Sequence, residues 1–202
     1  MKYFVKTPWI VKKLWSSYTW DIKTNEKNIY LSFDDGPHPV VTPFVLDELE
    51  RYNAKATFFC IGKNVEAFPE IYKRILNAGH KVGNHTQQHL NGWKTDNDIY
   101  LSDIAEASKH IISPLFRPPY GRIKLPQAKK LINFNIVMWD VLSGDFDETL
   151  SKEKCLQNVI NNAKQGSIVV FHDSDKAFSK LKYVLPLTMK FFLKSGYSFR
   201  AM

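Results

Sequence analysis

Short apolar runs near residues 29–33, 56–61, 80–84, 115–117, 135–139, 167–171 and 197–200 alternate with longer amphipathic stretches at 42–52, 64–78, 97–112, 125–133, 153–164 and 177–194. No other feature restricts the fold as much. The short runs have the length of strands, and the long ones carry apolar residues at helical spacing, as Val45, Leu46 and Leu49 do. A helix between two strands returns the chain to the same end of the sheet, so the strands run parallel. The class is α/β, and about seven strands can either close into an irregular barrel or stay an open doubly wound sheet. Helix signals agree with the periodicity. Thr42-Pro43 offers an N-cap followed by proline at the first helical position, and Gly79 and Ser195-Gly196 close two helices.

At 202 residues and 44% hydrophobic content the chain can bury one substantial core, and no linker or low-complexity tract divides it. A single domain over residues 1–202 is expected. The charge balance of 28 Lys and Arg against 20 Asp and Glu, a net +8, favours encounter with polyanions but identifies no reaction. Nucleic-acid motifs are lacking. Cys60 and Cys155 both fall in apolar stretches and read as buried free thiols. The aromatic and basic segment 1–25, with Trp9, Ile10, Val11, Leu14, Trp15, Tyr18 and Trp20 among Lys12 and Lys13, reads as a segment packed on the domain, with peripheral membrane contact as the alternative. Its start has neither the apolar stretch nor the cleavage site of a secretory signal, which favours the cytoplasm or the inner membrane surface.

The polar chemistry gathers where strand-like runs end. Asp34, Asp35, His85, Arg117 and His172 each stand at or just after the C-terminal end of such a run, the edge that carries active sites in parallel α/β folds. Adjacent carboxylates at Asp34 and Asp35, in the turn Asp34-Asp35-Gly36-Pro37, repel one another unless a cation sits between them. The same four residues alone would also make a good solvated turn. His85 and His89, four apart, can converge on one ion from a helix face or a compact turn. Alone they would also suit a surface. Three further blocks follow in order: Arg117-Pro118-Pro119-Tyr120-Gly121, Trp139-Asp140-Val141-Leu142-Ser143-Gly144-Asp145-Phe146, and Val169-Val170-Phe171-His172-Asp173.

With these five blocks the chain resembles, over about residues 29–200, the polysaccharide deacetylase family, also called carbohydrate esterase family four. The resemblance implies a distorted (β/α)7 barrel of mostly parallel strands and a hydrolase that removes acetyl groups from N-acetylated sugars. It makes Asp34 the general base, His172 the general acid, and Asp35, His85 and His89 ligands of one divalent metal. Arg117 would orient Asp34, Asp145 would tune His172, and the backbone N–H of Tyr120 would donate to the oxyanion. Pro119, Tyr120, Trp139 and Val170 would contact substrate, with Val170 in the acetyl pocket. Two imidazoles and a carboxylate suit Zn²⁺ first, with Co²⁺ or Ni²⁺ as alternatives. An acetylated glycan or amino sugar is the implied partner, acted on at the cell envelope. O-deacetylation, or a non-catalytic glycan-binding or membrane-surface role, are the alternatives. Ser32, Phe146 and Val170 depart from the usual Thr, Trp and Leu, which touches pocket shape more than reaction type. Trp93 and Phe116 are added as sugar-platform candidates beside Tyr120 and Trp139, and Leu90–Lys94 as a substrate-shaping loop. Asp140 and Asp173 read as supporting residues, and His38, His80 and His110 as structural or surface ones.

Overall fold

In the computed structural model, which describes residues 3–202, the elements follow as α1 Trp9–Leu14, β1 Asn28–Asp34, α2 Val41–Arg51, β2 Ala56–Cys60, α3 Gly62–Ala67, α4 Pro69–Asn77, β3 Lys81–Asn84, α5 Asn97–Ala107 and β4 Leu115–Phe116. A 3-10 turn, Pro119–Gly121, precedes α6 Leu125–Lys130, β5 Asn135–Ile136, β6 Val141–Leu142, α7 Lys152–Ile160, β7 Ile168–His172, α8 Asp175–Lys194 and β8 Ser198–Phe199. The strands lie in the order β5-β4-β3-β2-β1-β7-β6, with β8 beside the start of β1. Every pairing between these strands is parallel. The result is a curled sheet wrapped by helices, the distorted barrel expected.

The two ends of the sheet path, β5 and β6, are bridged by the N-terminal segment. Thr19 N–H donates to the Ile136 carbonyl at 2.9 Å and its own carbonyl accepts from Met138 at 2.7 Å, while Leu142 N–H donates to Val5 at 2.8 Å. Below this seam the Asp140 carboxylate accepts from Lys6, Lys12 and Ser167, each at 2.5 Å. Trp20 is buried with Tyr100, Ile104 and Phe116, and Val11 and Tyr18 pack against that cluster. Trp9, Ile10 and Leu14 stay exposed.

Alternation along the central strands divides core from site. Ile29, Leu31 and Phe33 of β1, Ala56, Phe58 and Cys60 of β2, and Val169 and Phe171 of β7 face the helices in the larger core cluster. Successive side chains point to opposite faces, so Tyr30, Ser32 and Asp34 point into the barrel. Polarity rises along that inner file toward the mouth.

Several boundaries differ from the sequence reading, each for a local reason. The stretch 64–78 is two helices, because Pro69 lacks the N–H an interior position needs and starts a new helix instead. Val141–Leu142 is an eighth strand beyond the seven runs, separated from β5 by the extended residues that pair with Thr19. Thr42 is not an N-cap: α2 begins at Val41, and the Thr42 hydroxyl accepts from His38 N–H at 2.7 Å and donates to Asp173 at 2.5 Å. Gly79 and Gly196 do close α4 and α8, at φ 75° and 78°. Cys60 and Cys155 are buried and free. No helix among the described residues is long and apolar enough to cross a membrane.

Candidate active site

The C-terminal edge of the sheet opens into a cavity of about 370 Å³ lined by Asp34, Asp35, His85, His89, Tyr120, Trp139, Val170 and His172. A carboxyl and an imidazole in this lining owe their proximity to register: Asp34 ends β1, His172 ends β7, and the two are direct partners across the parallel pair. Residues opposite one another on neighbouring strands project to the same face, so Asp34 and His172 share the barrel mouth.

Arg117, wholly buried just past β4, fixes the Asp34 side. Its Nη1 donates to Asp34 Oδ1 at 2.6 Å and to Ser32 Oγ at 2.7 Å, Nε to the Val137 carbonyl at 3.1 Å, and Nη2 to the Met138 carbonyl at 2.9 Å. The guanidinium also lies 4.0 Å from the centre of the Phe59 ring. A buried guanidinium with its fork so filled holds its carboxylate partner in one orientation.

His172 is fixed by Asp145. The carboxylate, fully buried, accepts from the His172 backbone N–H at 2.7 Å and from Nδ1 at 2.8 Å. Burial, the largest single influence, opposes the imidazolium; the charge and hydrogen bond of Asp145, with Asp35 and Asp34 behind, outweigh it and raise the His172 pKa to about 10. The group is thus kept protonated, with Nε2 left to face the cavity.

The third component is the trio Asp35, His85 and His89, which offers one ligand atom each within 4.8 Å of one another. His89 Nε2 is 3.3 Å and His85 Nε2 3.8 Å from Asp35 Oδ1. His85 Nδ1 lies 2.7 Å from the Arg117 carbonyl, which selects the tautomer whose Nε2 lone pair faces Asp35. Burial, followed by the neighbouring His89, holds the His85 pKa well below the usual histidine range, and burial also lowers His89. Neutral rings with aimed lone pairs beside a carboxylate are the donor set a divalent transition ion requires, so the residues fit a metal.

The backbone that carries these groups is unusual. Of the five non-glycine residues with positive φ among those described, four are here: Asp35 at 86°, Thr86 at 66°, His89 at 58° and Tyr120 at 61°. Such left-handed conformations persist only where the surroundings hold them. The His85–His89 turn is held by Asp103 of α5, whose Oδ2 accepts from Gln87 N–H at 2.8 Å and Gln88 N–H at 3.1 Å. Asp173 Oδ1 accepts from Gly36 N–H at 2.9 Å, and a Cβ at Gly36 would stand 2.0 Å from Asp173 Oδ2, so only glycine passes there. Burial, with Asp35 close by, pushes the Asp173 carboxyl up to about 8.

Other sequence candidates are placed elsewhere. Pro119 is buried and outside the cavity lining. Phe116 is wholly buried in the core against Phe134, which corrects its reading as a sugar platform: its strand β4 turns it inward. Trp93, in the 90–94 loop, is exposed beside Arg122 but outside the lining. His38 accepts from the Val40 and Val41 N–H groups at the start of α2, His80 is buried behind β2, and His110 pairs with Glu66 at 2.9 Å. Tyr3, Leu142, Arg122 and Lys176 line the cavity without having been singled out as site residues. Phe146, noted only as a departure, meets the His172 ring edge-on at 5.0 Å.

Comparisons with known proteins point to one family. Residues 21–137 match the family model described as polysaccharide deacetylase. The chain is 36% identical over 189 residues to a peptidoglycan-N-acetylglucosamine deacetylase of Bacillus cereus, covering 90% of this chain and 89% of that protein. It is 35% identical over 161 residues to a chitooligosaccharide deacetylase of Azorhizobium caulinodans, covering 75% and 76%. A crystal structure of a peptidoglycan N-acetylglucosamine deacetylase superposes with a TM-score of 0.87 at 33% identity, over 96% of this chain and 94% of that one. With its family model, its relatives and its fold in agreement, the chain belongs to the polysaccharide deacetylase family of hydrolases.

Proposed function

We propose that this protein is a metal-dependent N-deacetylase of glycans, with Asp34 as base and His172 as acid. One observation carries the reading: a carboxylate fixed by Arg117 and an imidazolium fixed by Asp145 stand in register on adjacent strands, beside a convergent Asp-His-His trio. Water attacking an acetyl carbonyl gives up a proton, and Asp34, oriented by Arg117, takes it. Asp35, His85 and His89 would hold one divalent ion, Zn²⁺ first, which when bound polarises the acetyl carbonyl and eases ionisation of the water. Negative charge then grows on the former carbonyl oxygen, where the backbone N–H of Tyr120 is the donor assigned to it. Cleavage of the C–N bond needs a proton on the leaving nitrogen, and His172, held protonated by Asp145, donates it. Arg117 is a positioning residue. The apolar side chains of Trp139, Leu142 and Val170 give the acetyl methyl a dry seat.

The relatives named above support an amide-linked acetyl on an amino sugar as substrate. Acetate release from chitooligosaccharides, peptidoglycan and acetylated xylan, measured on protein reconstituted with Zn²⁺, tests the reading. Release from the first two that is abolished in Asp34→Asn is the expected result; release from xylan alone would reassign the linkage to an ester. The exposed Trp9, Ile10 and Leu14 beside Lys13 support peripheral contact with an anionic membrane surface, which co-sedimentation with phosphatidylglycerol vesicles tests.

A further inference from the structure

The cavity has one wall that no catalytic role explains. Tyr3, from outside the barrel, reaches its rim. The ring centroid lies 5.2 Å from that of Phe146, which itself packs on His172, and the phenol Oη donates to Asp147 Oδ2 at 3.0 Å. The residues after Tyr3 are zipped along β6: Val5 accepts from Leu142 N–H at 2.8 Å, Thr7 N–H donates to the Asp140 carbonyl at 2.9 Å, and Lys6 pairs with the Asp140 carboxylate. Gly144, at φ 81°, makes room, since a Cβ there would stand 2.8 Å from Tyr3 Oη. The ring is therefore held at both ends, by a phenol bond and by a paired backbone. The same lining carries a second aromatic ring, Tyr120, centred 4.7 Å from the His89 ring. A cavity lined by aromatic side chains suits a pyranose, whose axial C–H faces are apolar.

We infer that Tyr3 is a specificity-determining residue, whose ring packs against the sugar next to the one being deacetylated. The Phe146 ring stands between it and His172, so the sugar it meets lies one unit beyond the acetyl under attack. The inference rests on the deacetylase reading, and it makes the N-terminal segment part of the substrate site. A chain-length dependence follows: Tyr3 contributes to binding of an oligosaccharide and nothing to that of a single N-acetylglucosamine.

The test compares Tyr3→Ala and Tyr3→Phe in the full chain loaded with Zn²⁺. Calorimetric titration with chitotetraose, in an Asp34→Asn background that prevents turnover, should show Kd rising about tenfold in Tyr3→Ala and by less than about twofold in Tyr3→Phe, which keeps the ring. In otherwise unaltered protein, Tyr3→Ala should raise KM for chitotetraose by a similar factor with kcat within about twofold. A Kd unchanged in Tyr3→Ala overturns the inference. So does a Tyr3→Phe as impaired as Tyr3→Ala, or a kcat that falls at constant KM, which would mark a purely structural prop for Phe146. Should unaltered protein bind chitotetraose yet release no acetate, the deacetylase reading fails while the Kd comparison still decides the role of Tyr3.

Discussion

Replacing Asp145 by Asn should move the alkaline limb of the rate profile more than any other single change. The carboxylate accepts two hydrogen bonds from His172, at 2.7 Å from the backbone N–H and 2.8 Å from Nδ1. The amide has one acceptor oxygen for those two donors and no charge. In the parent, His172 rises from 6.5 to about 10 against the opposing influence of burial. A rise of that size is worth roughly 5 kcal/mol of preference for the imidazolium. The raised value means that the stabilisation is present in full below pH 6.5 and is lost as pH climbs through about 10. Without the Asp145 charge, burial leaves the ring at or below its ordinary value. At pH 8.5 only about one molecule in a hundred would then carry the acid's proton, against nearly all in the parent. A bound divalent cation offsets the shares of Asp34 and Asp35 and leaves that of Asp145, so the contrast between variant and parent is the quantity to read. kcat/KM for acetate release from chitotetraose, followed from pH 5.5 to 9.5, should fall roughly 100-fold more in Asp145→Asn than in the parent between pH 6 and 8.5. An alkaline limb at the same pH in both proteins would refute the assignment of His172 as the acid.

Asp35→Ala or His85→Ala should strip the purified protein of its divalent ion, as elemental analysis would show, whereas Asp34→Asn should keep the ion and lose turnover; full metal occupancy in the first two would count against ligation. Arg117→Met leaves Asp34 buried without its counter-ion, and urea denaturation at pH 7 should show a loss of about 3–5 kcal/mol; a loss under about 1 kcal/mol would mean that solvent reaches the pair. His80, held neutral near a pKa of about 4 by burial and by Lys55, accepts from Ala56 N–H through Nδ1 at 3.2 Å. Its depressed value makes stability complete above pH 6.5 and lost as pH falls toward 4, by roughly 3 kcal/mol, and His80→Asn, which keeps an acceptor, should flatten that slope. An equally steep slope in His80→Asn would assign it to other groups.

The sequence alone determined the β/α alternation and the edge at which the chemistry gathers, because hydrophobic period and strand ends are local properties of the chain. It also singled out Asp34, Asp35, His85, His89, Arg117, Asp145 and His172, since each sits in a short block of distinctive composition, but not Tyr3, Arg122 or Lys176, which have no such block around them. Pro69 was an equally local signal, and its power to divide 64–78 into two helices was there to be read. Only the tertiary structure decided what depends on residues far apart in the chain. Register placed Asp34 opposite His172, 138 positions later, by backbone pairing that composition does not encode. Likewise, whether an aromatic residue faces core or cavity turned on packing: Phe116 went inward, and Tyr3 arrived at the mouth because Val5 and Thr7 pair with β6. Such pairings form only once the sheet has curled, so no window of sequence contains them.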